Sequence, residues 1–302
     1  MNKIKIGTRD SALALAQVNI FIEQLVKFHP DLNIEIVKIV TTGDRLKGGN
    51  LYDVGGKGLF IKEIEEALLA DNIDLAVHSS KDMPALYPQE LDISCFLTRQ
   101  QPHDALLCAG YSSIKDLPDG TVVGTSSPRR MAQILAIQPM VKIVPLRGNV
   151  LTRINKLKNQ EVGATILAMA GLNRLNIKDP IIHPITIDEI LPAVGQGAIV
   201  IETKKHDKAI NKLIAQVNHQ ETSICVNAER VFQAEFEGSC RTPIAAYAQL
   251  DKNQLHLRCL IAKSDGSKIL RTERKGLIND AAAMAKDAAI ELKKQAGDKF
   301  FD

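Results

Sequence analysis

The chain has 302 residues, 45% of them hydrophobic and 24% charged, an ordinary globular composition that argues against disorder. A net charge of +3, aromatics at only 4% and no tryptophan argue against a nucleic-acid reader built on base stacking, so positive charge can matter only by local clustering. Five cysteines, an odd number with no CxxC pair, disfavour a disulfide framework or a zinc site, and no metal is expected.

The opening residues, Met1 to Ile6, run straight into a strand pattern and lack the apolar core of a signal peptide. No stretch has the length needed to span a bilayer, so a cytoplasmic protein without membrane or nucleic-acid partners is expected. Lys3 to Gly7 reads as a strand and Ser11 to Phe28 as a helix, with Leu13, Ala16 and Ile20 at helical spacing. Asn33 to Val40 alternates as a strand. Thr41 to Gly58 is Gly-rich and polar, and is expected to be a mobile loop. Leu59 to Leu69 is helical and Ile73 to Val77 a buried strand. Strands follow at Val122 to Gly124, Lys142 to Pro145 and Ala164 to Ala168, with helices starting near Pro128 and Val150. This βα rhythm predicts sheets packed between helices.

The pattern changes near Asn218. An amphipathic helix, Glu221 to Phe236, precedes three strand-like runs at Pro243 to Leu250, Gln254 to Ala262 and Lys268 to Lys275, and Asn279 to Lys294 closes as a helix. In the middle run Leu255, Leu257, Cys259 and Ile261 alternate with polar residues, as in a strand with one buried face. Helix, antiparallel meander and helix make a small α+β domain. Residues 101–104 and 192–197 break periodic segments with Pro or Gly and are candidate hinges.

Four strand-to-helix junctions share a chemistry: Gly7-Thr8-Arg9-Asp10-Ser11, His78-Ser79-Ser80-Lys81-Asp82, Gly124-Thr125-Ser126-Ser127-Pro128-Arg129-Arg130, and Leu146-Arg147-Gly148-Asn149 with Arg153 one turn on. In an open α/β sheet such junctions lie at the carboxyl ends of strands, where ligands bind and helix N-termini present free N–H groups. Ser127 and Asn149 read as N-caps, with Pro128 in the first helical position. Arg129 and Arg130 occupy a first turn, where the helix dipole and mutual repulsion disfavour them. A bound anion would answer both, since arginine pairs bidentately with carboxylates; the plain alternative is a solvated Arg-Arg pair. Lys81-Asp82 is either a local ion pair in a turn or a carboxylate facing N–H donors beside an anion-holding lysine. Gly55-Gly56-Lys57-Gly58 lacks the phosphate-loop spacing and has Leu59 where Ser or Thr belongs. Cys240, in the loop Glu237-Gly238-Ser239-Cys240-Arg241, has Arg230 and Arg241 near in sequence to favour a thiolate, and a structural role is the alternative.

In order along the chain, Gly-Thr-Arg-Asp-Ser-Ala-Leu-Ala at 7–14, Thr-Thr-Gly-Asp at 41–44, Val-Gly-Gly-Lys-Gly-Leu-Phe at 54–60, Ala-Val-His-Ser-Ser-Lys-Asp-Met-Pro at 76–84, Gly-Thr-Ser-Ser-Pro-Arg-Arg at 124–130, Leu-Arg-Gly-Asn-Val-Leu-Thr-Arg at 146–153, Ala-Gly-Leu-Asn-Arg-Leu at 170–175, Leu-Pro-Ala-Val-Gly-Gln-Gly-Ala at 191–198 and Glu-Gly-Ser-Cys at 237–240 resemble the porphobilinogen deaminase family. The resemblance implies an α/β fold: two periplasmic-binding-protein-like lobes with mixed sheets, plus a small α+β C-terminal domain with a three-stranded antiparallel sheet. The implied domains are residues 1–98 with 198–217, 99–197, and 218–302. It implies a transferase of heme (tetrapyrrole) biosynthesis that joins four porphobilinogen units head to tail with loss of ammonia. The primer would be a dipyrromethane cofactor in thioether linkage to Cys240, from which hydroxymethylbilane is hydrolysed off. By the same resemblance Asp82 is catalytic. Lys81, Asp82, Thr125, Ser127, Arg129, Arg130 and Cys240 hold the cofactor, and Arg9, Ser11, Gln17, Arg147, Arg153 and Arg174 bind substrate. A monomer is implied as well. Asp53 departs from the lysine that relatives often carry there. Two other classes compete: a passive anion-binding module, which has no reason to combine Lys81-Asp82 with Cys240, and a cysteine hydrolase, for which the histidines offer no partner motif.

Overall fold

The structure, a computed structural model, describes residues 3–45, 59–236, 242–297 and 300–301. In chain order the first elements are β1 (Lys3–Arg9), α1 (Ala12–Leu25), β2 (Asn33–Ile39), α2 (Thr42–Arg45), α3 (Lys62–Leu69), β3 (Leu75–Ser79) and β4 (Leu91–Phe96). Next come β5 (Asp104–Cys108), β6 (Val122–Gly124), α4 (Pro128–Ile137), β7 (Lys142–Val144), α5 (Val150–Lys158), β8 (Ala164–Ala168), α6 (Met169–Arg174) and β9 (Ile182–Pro184). The chain continues with β10 (Ile199–Lys204), α7 (Lys208–Ile214) and α8 (Gln220–Glu235), then β11 (Ile244–Asp251), β12 (Gln254–Ala262), β13 (Ile269–Leu277) and α9 (Ala281–Ala296). Among the described residues no helix is long and apolar enough to cross a membrane.

The chain divides into two compact units. One is Met1–Gln100 with Ala198–Ser223, and the other Gln101–Gly197 with Ile224–Asp302. The first unit holds a five-stranded sheet in the order β2-β1-β3-β10-β4. Strands β1, β2 and β3 are parallel, and β10 runs antiparallel to both β3 and β4. The second unit repeats this plan: its order is β7-β6-β8-β5-β9, with β6, β7 and β8 parallel and β5 antiparallel to β8 and β9. The fold is therefore mixed α/β, and the second unit adds the antiparallel sheet β11-β12-β13.

Local chemistry starts the helices that follow the parallel strands. Ser11 Oγ accepts from Ala14 N at 3.2 Å at the start of α1. Ala14, Gln17, Val18, Phe21 and Leu25 then bury one stripe of α1 against the first sheet. Phe21 is fully buried, a burial that contributes on the order of 1.5–3 kcal/mol. In the C-terminal sheet the outer helices cover one face: Leu255, Leu257 and Cys259 pack with Phe232 of α8 and Ala285, Ala288 and Leu292 of α9.

Several expectations change. Residues 42–45 form a helical turn rather than open loop, because Thr42 N donates to Glu63 Oε1 at 2.8 Å and Asp44 N to Thr41 O at 3.0 Å; residues 46–58, with Asp53, lie outside the described residues. Strand β12 is buried on both faces at its end, since Leu260 and Ala262 pack with Ala132 and Leu191. Strands β4, β5, β9 and β10 and helices α6 and α7 were not anticipated. Strand β5, Asp-Ala-Leu-Leu-Cys, is buried throughout and so shows no alternation, and its first residue is the last of a segment read as a hinge. Cys95, Cys108, Cys225 and Cys259 are buried and form no disulfide, as small hydrophobes would.

Candidate active site

Because β1, β2 and β3 are parallel, their carboxyl ends share one edge of the first sheet, and the expected groups of that unit gather there. Gln17 is buried on α1, and its Nε2 donates to Ser79 Oγ at 2.7 Å, joining the first junction to the second. Residues Ser80–Asp82 form a single 3₁₀ turn that ends β3 and carries Lys81 and Asp82, both half-buried. Among the described residues the Asp82 carboxylate has no hydrogen bond or ion pair, and buried Ser80 Oγ beside it has no hydrogen-bond partner. Arg9, the last residue of β1, lays a two-pronged contact on Asp44: Nη2 to Oδ1 at 2.5 Å and Nε to Oδ2 at 3.2 Å. Its guanidinium carbon lies 4.3 Å from the centre of the Phe60 ring. Burial pushes the Asp44 carboxyl up, but hydrogen bonds from Arg9 and Thr41 outweigh it and hold the group below its ordinary value.

In the second unit the helix start at Ser127 forms as expected. Ser127 Oγ accepts from Arg130 N at 3.5 Å, Pro128 fills the first helical position, and buried Thr125 accepts from Ser127 N at 3.2 Å. Repulsion between Arg129 and Arg130 is met within the protein by a buried carboxylate. Both are buried against Asp104, which is fully buried at the start of β5. Arg129 Nη2 donates to Asp104 Oδ2 at 2.8 Å, and Arg130 Nη2 and Nε donate to Oδ1 at 2.6 and 3.2 Å. Remaining donors go to carbonyls, Arg129 Nη1 to Leu191 O and Arg130 Nη1 to Ile166 O, each at 2.8 Å. Gln196 Nε2 adds bonds to Asp104 Oδ1 at 3.0 Å and Pro102 O at 2.7 Å, so the two segments read as hinges meet at this cluster. Burial would raise the Asp104 carboxyl, yet the two guanidinium groups hold it well below the carboxylate range. Two arginines against one aspartate leave one positive charge in excess, which fits a group bearing carboxylates.

Arg147 is half-buried between β7 and α5, with no side-chain partner among the described residues. Asn149 caps α5 by accepting from Thr152 N at 2.9 Å, and Arg153 Nε donates to Gly148 O at 2.8 Å. Gly148 has φ +112, and a Cβ there would stand 2.5 Å from Thr152 Cγ2, so only glycine suits this turn. Arg174 ends α6; its Nη2 donates to Gly197 O at 2.6 Å, its buried Nε has no partner among the described residues, and burial pulls its pKa down to about 10. Cys240 lies outside the described residues.

Three groups escaped the sequence reading. Asp104 and Gln196 act through partners 25 to 92 positions away, which no local pattern reveals. Asp44 belongs to the Thr-Thr-Gly-Asp motif, to which no role had been given. Behind Lys81-Asp82, His78 Nε2 lies 3.1 Å from buried Glu202, and Glu65 is raised to about 7 by burial and then by Glu202.

Parallel strands whose carboxyl ends carry arginines, a lysine and a carboxylate that no described residue engages define a class: an α/β protein with strand-end loops suited to an anionic small molecule. Residues 4–212 match the family model "Porphobilinogen deaminase, dipyromethane cofactor binding domain", and residues 223–294 match "Porphobilinogen deaminase, C-terminal domain". The chain is 48% identical to the porphobilinogen deaminase of Nitrobacter hamburgensis, over 98% of its own length and 94% of the relative's. For the Paracoccus denitrificans protein of that name the values are 47%, 100% and 97%, and for the chloroplastic one of Oryza sativa 46%, 99% and 86%. Likeness to solved structures is loose. The BenM effector binding domain with benzoate aligns at TM-score 0.44 and 16% identity, over 71% of this chain and 91% of that one. The chain belongs to the porphobilinogen deaminase family and is an enzyme.

Proposed function

We propose that the enzyme joins four porphobilinogen units head to tail, releasing ammonia at each step, on a dipyrromethane primer bonded through a thioether to Cys240, and then hydrolyses off hydroxymethylbilane. The observation that carries this reading is Asp82, a half-buried carboxylate at a strand end that no described residue engages. When bound, the dipyrromethane supplies an electron-rich pyrrole carbon to which the next unit is joined. Asp82 accepts hydrogen bonds from pyrrole N–H groups and stabilises the positive charge that develops on the substrate as its aminomethyl nitrogen departs. Lys81, Thr125, Ser127, Arg129 and Arg130 hold the primer, the basic residues pairing with its carboxylates. Arg9, Ser11, Gln17, Arg147, Arg153 and Arg174 take the acetate and propionate arms of incoming units.

The two five-stranded sheets and the C-terminal meander support a three-domain reading: residues 1–98 with 198–217, 99–197, and 218–302. We also assign the enzyme to the cytoplasm as a monomer. Kinetics of Asp82→Asn test the catalytic assignment. Turnover falls by about 10²–10⁴-fold, the range for a lost general acid–base group, while fold and primer content are kept. A variant that turns over within a few-fold of the parent enzyme removes Asp82 from the chemistry.

A further inference from the structure

The Thr-Thr-Gly-Asp segment at 41–44 is built residue by residue around Arg9. Thr41 Oγ1 donates to Asp44 Oδ2 at 2.7 Å, and Thr41 N reaches the same oxygen at 3.3 Å. Thr42 is held by Glu63 of α3 through both its backbone N and its hydroxyl. Gly43 lies against the Phe60 ring so closely that a Cβ would stand 2.2 Å from Cε1, while Arg9 lies over the same ring at 4.3 Å. Asp44 then takes the Nε and Nη2 donors of Arg9, one full edge of the guanidinium. A guanidinium has five N–H donors in a rigid plane, so the end formed by Nη1 and the second Nη2 hydrogen, which no described residue engages, can take one more carboxylate. The stack on Phe60 fixes the plane, and Asp44 fixes the rotation within it.

We infer that Asp44 is a positioning residue for substrate recognition: it orients Arg9 so that the free end of the guanidinium receives a carboxylate arm of the incoming pyrrole, and the 41–44 turn exists to hold it there. This rests on the reading of Arg9 as a substrate-binding group. Asp44 touches no substrate itself. Its effect reaches affinity through Arg9 alone, and the pair leaves little net charge, so selection there depends on geometry more than on bulk attraction.

A double-variant cycle in the primer-loaded enzyme tests this, reading KM for porphobilinogen and kcat for Asp44→Asn, Arg9→Lys and the pair. Arg9→Lys raises KM by about tenfold or more, since lysine cannot form the fork. Asp44→Asn raises KM by about tenfold with kcat within a few-fold, and the double variant is no worse than Arg9→Lys. If Arg9→Lys raises KM but Asp44→Asn does not, or the two effects add, the positioning role is wrong while Arg9 keeps its place. If Arg9→Lys leaves KM unchanged, the substrate role of Arg9 fails and this inference falls with it. Thr41→Val, which removes one hydroxyl donor to Asp44, supplies the same readout should Asp44→Asn fail to fold; an unchanged KM in it would equally overturn the inference.

Discussion

The two five-stranded sheets share strand order and direction, yet they treat charge at their strand ends in opposite ways. In the second unit Arg129 and Arg130 are about 95% buried and locked to an aspartate with no exposure at all. In the first, Arg9 and Asp44 keep about a quarter of their side-chain surface in solvent, and Asp82 is engaged by no described residue. Buried pairs are costly to break and hold one geometry, while half-exposed groups can exchange partners at small cost. The difference suits the roles proposed for these particular groups: the Arg129-Arg130 cluster helps to grip a primer that never leaves, while Arg9 takes a carboxylate arm of each unit that arrives.

The largest effect that could break this comparison is on stability. Asp104→Asn leaves two buried guanidinium groups undercompensated and is expected to cost about 3–5 kcal/mol, against about 1 kcal/mol or less for Asp44→Asn. Urea unfolding of the two variants checks it, and equal losses would erase the contrast. Next in size is the fate of the primer. Arg129→Gln is expected to lower the fraction of molecules carrying it, whereas Arg9→Gln leaves that fraction intact and raises KM by roughly 10–100-fold, the value of one or two charge-assisted hydrogen bonds. Acid sharpens the contrast further. Both Asp44 and Asp104 have carboxyls held below their unfolded values, so each contributes stability that is present above about pH 4 and lost as pH falls through the folded value. Asp104 is held well below the carboxylate range, so amide exchange should show β5 and α4 protected to lower pH than residues 41–45.

The smallest effect concerns Glu65. Burial raises its pKa to about 7, so between about pH 4.5 and 7 the folded state binds more protons than the unfolded one, and stability falls as pH rises. Glu65→Gln should remove that slope and raise the melting temperature by about 1–2 °C at pH 8, a small gain because the group is only partly buried. A melting temperature unchanged across that range in the parent enzyme would contradict the assignment.

Local chemistry was legible in the sequence. Ser127 with Pro128 and Asn149 announce helix starts, and the structure places those helices at Pro128 and Val150. Strands β1, β6 and β7 were legible too, because each is followed by a capping side chain and a helix. Partnerships across the chain were not. The Arg129-Arg130 pair pointed correctly to a need for negative charge, but the aspartate that meets it lies on a strand without alternation, 25 positions upstream. The pairing of β10 between β3 and β4 likewise joins segments more than a hundred residues apart, which periodicity cannot register. The 41–45 turn looked like loop because its order comes from Glu63 and Phe60, not from its own propensity.

A group held for the life of the enzyme should be visible on the protein itself. Intact-mass measurement of the purified chain is predicted to show an excess equal to two linked pyrrole units, lost in Cys240→Ser. An active enzyme whose mass equals that of the bare polypeptide would contradict the account.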